Sequence, residues 1–128
     1  MRVLAAALLL LAAVGWGQPE PAAPPPAKLF AIVFRTGPAW DTARPPGQQS
    51  FMKEHSQNLG SLRKADKIAL GGRFGELGLV VVRAADLAEA RAMLAGDPAV
   101  AAGVFQADVH PWSTIYEGCT SATYSPPR

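Results

Sequence analysis

At 128 residues the chain has room for one folded domain. Its formal net charge of +2 falls to +1 without Arg2, and its basic residues are scattered apart from Arg63-Lys64 and Lys67. The basic stripe or stacking motif of a nucleic-acid binder is absent, so no nucleic acid is expected as a partner. One cysteine, Cys119, rules out an internal disulfide, and one Cys with two distant His lacks zinc-ligand spacing, so no metal is expected.

The first elements are not part of the domain. Arg2 precedes an apolar run from Val3 to Val14, and Gly15-Trp16-Gly17 places small residues before a cut at Gln18. This is the pattern of a secretory signal peptide over residues 1–17, and the run falls short of the roughly 20 apolar residues of a membrane span. A periplasmic or secreted protein with no stable membrane insertion after cleavage is the expectation. Residues 18–28 carry Pro19, Pro21, Pro24, Pro25 and Pro26 and read as an extended linker. Residues 119–128, with Pro126 and Pro127, read as a flexible tail. The folded domain is expected over residues 29–118. So small a unit buries a modest core, which makes dimerisation an attractive source of further burial.

Leu29 to Phe34 is almost continuously apolar and predicts a buried first strand. Gly37 to Gly47 contains Pro38, Pro45 and Pro46 and predicts a long loop, of the kind that borders sites. From Gln48 to about Ala65 the period becomes helical, with Phe51, His55, Leu59 and Leu62 on one face. Asp66 stands where that helix ends, in a position suited to left-handed backbone. Ile68 to Leu70 predicts a short second strand stopped by Gly71-Gly72. Gly75 and Gly78 frame a turn, and Leu79 to Val82 predicts a third strand. Asp86 and Glu89 match a capping box, opening a helix that Gly96 should end. Val104 to His110 predicts the last strand, closed by Pro111.

Strand, helix, strand, strand, helix, strand, with right-handed crossovers, gives an α+β ferredoxin-like βαββαβ plait. Its four-stranded antiparallel sheet carries both helices on one face. The other face needs a cover, and a second subunit is the simplest one.

His55, mid-helix after the first strand, stands with the glycine-rich Gly71-Gly72-Arg73-Phe74-Gly75 before the third strand. Leu87 to Leu94, Asp97-Pro98-Ala99-Val100-Ala101-Ala102-Gly103 and the closing Val109-His110-Pro111-Trp112 complete a set that resembles the YCII-related family of dimeric α+β-barrel proteins. The resemblance spans about Leu29 to Trp112. It implies a plait that dimerises through its sheets and an active site holding a His and an Asp, which by position are His55 and Asp97. The chain departs from the family in Asp66, where Gly is usual, and in its signal peptide.

A carboxylate on one imidazole nitrogen fixes the tautomer and leaves the other nitrogen to act as base or acid near neutral pH. His55 fits that role, and it equally fits a core histidine bonded to a backbone carbonyl. Asp97, before Pro98, fits a partner for His55, and it equally fits a cap for a short turn beginning at Pro98. Arg73 is a candidate contact for an anionic ligand, although its glycine-rich turn is not a phosphate loop. Trp112 is a candidate substrate contact, with packing or dimer contact as its other reading, shared by Phe105. His110 at a strand end is a third candidate or an exposed histidine. Two functions follow. One is a cofactor-free lyase, isomerase or hydrolase using the His55/Asp97 pair on a small organic substrate. The other is a non-catalytic homodimer that binds a small molecule or a partner on the same scaffold.

Overall fold

A computed structural model describes residues 27–118. The expected leader, most of the Pro-rich linker and the tail with Cys119 lie outside the described residues. Strands β1 (Lys28–Thr36), β2 (Ile68–Phe74), β3 (Leu77–Ala84) and β4 (Phe105–Pro111) form one sheet in the order β2-β3-β1-β4, every neighbouring pair antiparallel. Helix α1 (Met52–Lys64) follows β1, and helix α2 (Leu87–Ala95) follows β3. A short α3 (Pro98–Ala101) stands before β4, and this third helix is an addition to the expected pair.

Alternation along the central strands explains the core. Phe30, Ile32 and Phe34 of β1 and Val80, Val82 and Ala84 of β3 point to one face and are buried together with Ala90 of α2. Leu59 of α1 and Leu87, Met93 and Leu94 of α2 pack against this same cluster, so both long helices cover one face. The fold is the expected α+β plait.

Several boundaries differ from the sequence reading, each for a local reason. Strand β2 runs through Gly71 and Gly72 rather than stopping there, with a register shift between Ile68 and Leu70. It is an edge strand paired only to β3, and no tightly packed side chain is required at either glycine. The turn is Gly75-Glu76, with Gly75 at φ 55, the left-handed glycine that tight hairpins favour. Helix α1 starts at Met52, not Gln48. A 3₁₀ turn at Pro46–Gln48 precedes it, and Phe51 caps it in left-handed backbone at φ 60. Phe51 is therefore exposed rather than on the inner stripe, and Met52 takes that place.

Asp66 ends α1 as expected, at φ 55. Its N–H donates to the Arg63 carbonyl and that of Lys67 to the Leu62 carbonyl, the paired bonds of a Schellman motif. Gly96 does not stop α2 by left-handed geometry, since its φ is −77. Helix α2 does end at Gly96, its C-cap, and Asp97 beyond it is extended (φ −86, ψ 115) because Pro98 disfavours helical backbone before it. Asp86 caps α2 by accepting from Glu89 N–H at 2.8 Å, while the Glu89 carboxylate accepts from Ala85 N–H at 2.6 Å. The return bond of the capping box thus falls one residue earlier than the usual pattern.

Candidate active site

Between α1 and the sheet lies a cavity of about 980 Å³. It exists because α1 meets the core chiefly through Leu59, while α2 lies close on the same face. Met52, His55, Leu59 and Arg63 of α1 form one wall, Phe34, Gly78 and Val80 the floor, and Trp40, Pro46 and Gly47 of the preceding loop one end.

That loop is held at both ends. Gly37 N–H donates to the Val104 carbonyl and Ala39 N–H to the Gly103 carbonyl. A Cβ at Gly37 would sit 2.2 Å from the Gly103 oxygen, so only glycine allows this approach. At the far end the buried Gln49 side chain accepts from Asp41 N–H and donates to the Asp41 and Arg44 carbonyls. The loop thereby carries Trp40 onto Phe105, with ring centroids 5.6 Å apart. Phe105 in turn lies 4.9 Å from the His55 ring, and Phe34 meets that ring edge-on at 5.4 Å.

His55 Nδ1 lies 2.6 Å from Asp97 Oδ2. The His55 side chain is 13% exposed and lines the cavity, whereas Asp97 is 1% exposed and sits behind it. Both sequence readings of Asp97 hold, because a carboxylate has two oxygens. Oδ1 accepts from Ala99 N–H at 3.0 Å and Val100 N–H at 3.4 Å, capping α3, while Oδ2 faces His55. Asn58, one turn beyond His55, donates to the same Oδ2 at 3.4 Å.

Burial by itself would raise the Asp97 pKa. The His55 hydrogen bond and charge, the Ala99 N–H and Asn58 outweigh it and hold the carboxyl below its ordinary value. An ionised Asp97 only accepts, so His55 carries its proton on Nδ1 and keeps Nε2 as the basic nitrogen. A buried carboxylate orienting a histidine that borders a cavity can support proton transfer to and from a bound molecule.

Arg73 reaches the same cavity from β2. Trp112 does not. It borders a separate cleft with Leu29, Phe30, Asp86 and Leu87, and its indole N–H donates to Thr114 Oγ1. Strand β4 explains the separation: Phe105, opposite Thr36, is at the site's end, and Trp112 follows seven positions later, about 20 Å along an extended chain. His110 is exposed on β4 opposite Ala31 and lies outside the cavity wall. Sequence reasoning missed Asn58, Gln49 and Trp40. Asn58 alone left a signal, its spacing of three from His55. Among the described residues no group of three or more His, Cys, Asp or Glu side chains is placed to hold a metal ion.

The YCII-related domain matches residues 29–113, most of the chain, and the protein belongs to that family. No curated protein and no solved structure gives a significant match.

Proposed function

We propose that this YCII-related protein is an enzyme that moves a proton on a small organic molecule bound in the α1–sheet cavity. His55 Nε2 is the general acid/base, and Asp97 is the positioning residue that fixes the tautomer and stabilises the imidazolium. The observation that carries this reading is the division of labour in the 2.6 Å pair, the carboxylate sealed behind and the imidazole at the cavity wall. The reaction class is elimination, isomerisation or hydrolysis, run without a cofactor.

The test is a turnover screen of small organic substrates with wild type and His55→Gln. Turnover by wild type that falls by about 10²–10⁴ in the variant supports the reading. Ligands that bind both proteins equally, with no turnover by either, support a non-catalytic binding protein instead.

We also propose that the protein works as an exported homodimer, joined through the sheet face away from the helices. Strand alternation directs Leu70, Phe74 and Leu79 to that face, and Leu70 and Phe74 are 45% and 50% exposed. Light scattering that gives a monomer mass at micromolar concentration would end the dimer proposal. An intact Met1 on the native protein would end the proposal of cleavage and export.

A further inference from the structure

Among the described residues, His55, Arg63, Arg73 and Glu76 border the cavity, and Arg35 borders it from β1 with its side chain turned to the opposite face of the sheet. Arg35 is already engaged, since its guanidinium holds Asp108 and Gln106. Arg63 and Arg73 form no side-chain hydrogen bond or ion pair with any described residue. They come from different elements, the last turn of α1 and the end of β2, and converge on one space. Arg63 has a local benefit at the carboxyl end of its helix, where a cation suits the dipole. That benefit requires no orientation toward the cavity, and it does not apply to Arg73 on a strand. Among the described residues Glu76 is the one carboxylate on the wall, so the cationic groups outnumber it.

The rest of the wall is different in kind. Phe34 and Phe105 pack on the His55 ring and Trp40 packs on Phe105, so this end of the wall is aromatic. A ligand that satisfies both parts has an apolar, preferably flat body and a negative group. Guanidinium pairs with carboxylate in a planar, two-bond geometry. No phosphate loop lies on the wall to favour a more highly charged group.

Resting on the proton-transfer reading above, we propose that the substrate is a small aromatic or unsaturated carboxylic acid. Arg63 and Arg73 hold its carboxylate, its body lies along Trp40 and Phe105, and His55 faces the carbon framework. The carboxylate is a handle, not the reacting group.

The test is equilibrium binding, so it is independent of turnover. Phenylacetate and trans-cinnamate are titrated against their primary amides, with phenyl phosphate as a further probe, using NMR shifts of the full-length protein. The acids are expected to bind wild type about tenfold or more tighter than the amides, the size of one charge-assisted hydrogen bond. Arg63→Gln and Arg73→Gln are each expected to erode that preference, and the double variant to abolish it. His55→Gln is expected to keep it. Both arginines are exposed, so the variants should fold, and the amides' unchanged binding checks that they do.

Acids and amides binding alike, no acid binding, or a preference that survives the double variant would overturn the proposal. A preference lost in His55→Gln but not in the arginine variants would overturn it too, by placing the anion on the imidazole. Tighter binding of phenyl phosphate than of either acid would overturn the carboxylate assignment. None of these outcomes bears on whether His55 transfers protons, which the turnover screen decides separately.

Discussion

Helix α2 buries Ala90 completely among Val82, Ala84 and their neighbours and adds Leu87, Met93 and Leu94 to the same contact, while α1 on the same face has no buried residue and presses only Leu59 into the core. The difference follows from side-chain size. Ala90 lets α2 approach the sheet closely, whereas His55, Met52 and Arg63 on α1 need room, and that room is the cavity. One half of the helical layer fills the core, and the other leaves the cavity beside it. Helix α1 is kept in place by its ends, through the Schellman motif at Asp66 and the loop bonds of Gln49, and at its middle by the His55–Asp97 contact.

The comparison breaks most clearly at His55. His55→Gln should lower turnover by about 10²–10⁴, with a smaller stability loss than a core truncation because the glutamine amide can still donate to the buried Asp97 carboxylate. Ile32→Ala, beneath both helices, should do the reverse in kind. A stability loss of about 2–5 kcal/mol is expected by chemical denaturation, from lost burial plus a cavity.

Asp97 belongs to both halves, and two substitutions separate them. Asp97→Ala removes the α3 cap and should cost about 0.5–2 kcal/mol for that part alone. Asp97→Asn keeps a capping oxygen and should regain much of that stability, yet it lacks the carboxylate that holds the imidazole, so turnover should stay low. A thermal melt and a rate on each variant check the split.

Acid sharpens the same point. A carboxyl whose folded pKa is lowered stabilises the fold above its unfolded pKa and loses that contribution as pH falls through the folded value. The stability gap between wild type and Asp97→Asn should therefore be full near neutrality and shrink below the ordinary carboxylate range. Urea unfolding of both proteins at stepped pH measures it; a gap that widens on acidification would contradict the assignment.

The smallest expected effect is at Gly96. Its backbone is right-handed and a Cβ there meets nothing closer than 3.7 Å. Gly96→Ala should be neutral or stabilising by up to about 1 kcal/mol in a thermal melt.

Much of the plait was legible because β1 and β3 are central strands whose apolar runs have one reading, and because capping at Asp86 and Asp66 is local chemistry. The edge strand was less legible. Gly71-Gly72 breaks a strand that must pack, but β2 has a partner on one side and little to bury, so glycine costs it little. At Gly96 the helix end was legible but its geometry was not: a glycine after a helix suggests a left-handed cap, whereas Pro98 sets the exit through extended backbone at Asp97.

The pairing of His55 with Asp97 was within reach of position and family resemblance. Spacing did not decide between capping and pairing for Asp97, since the two oxygens do both. Trp112 went astray because a residue type carries no information about which end of a strand it occupies. Trp40 and Gln49 were hidden in a loop without periodicity. Their roles arise from tertiary hydrogen bonds that no local pattern encodes.

The close backbone approach of Gly37 to Gly103 has a consequence for how such a protein diversifies. With one end pinned there and the other by Gln49, the segment between them is an exchangeable cassette. New residues at Trp40 or Gly47 redraw the cavity's end wall, and insertions between the two anchors leave the paired histidine and aspartate where they are. On the proposed proton-transfer reading, ligand preference can drift through this segment while His55 and Asp97 stay constant, and changes in the length or aromatic content of this loop are expected to alter which ligand the cavity takes.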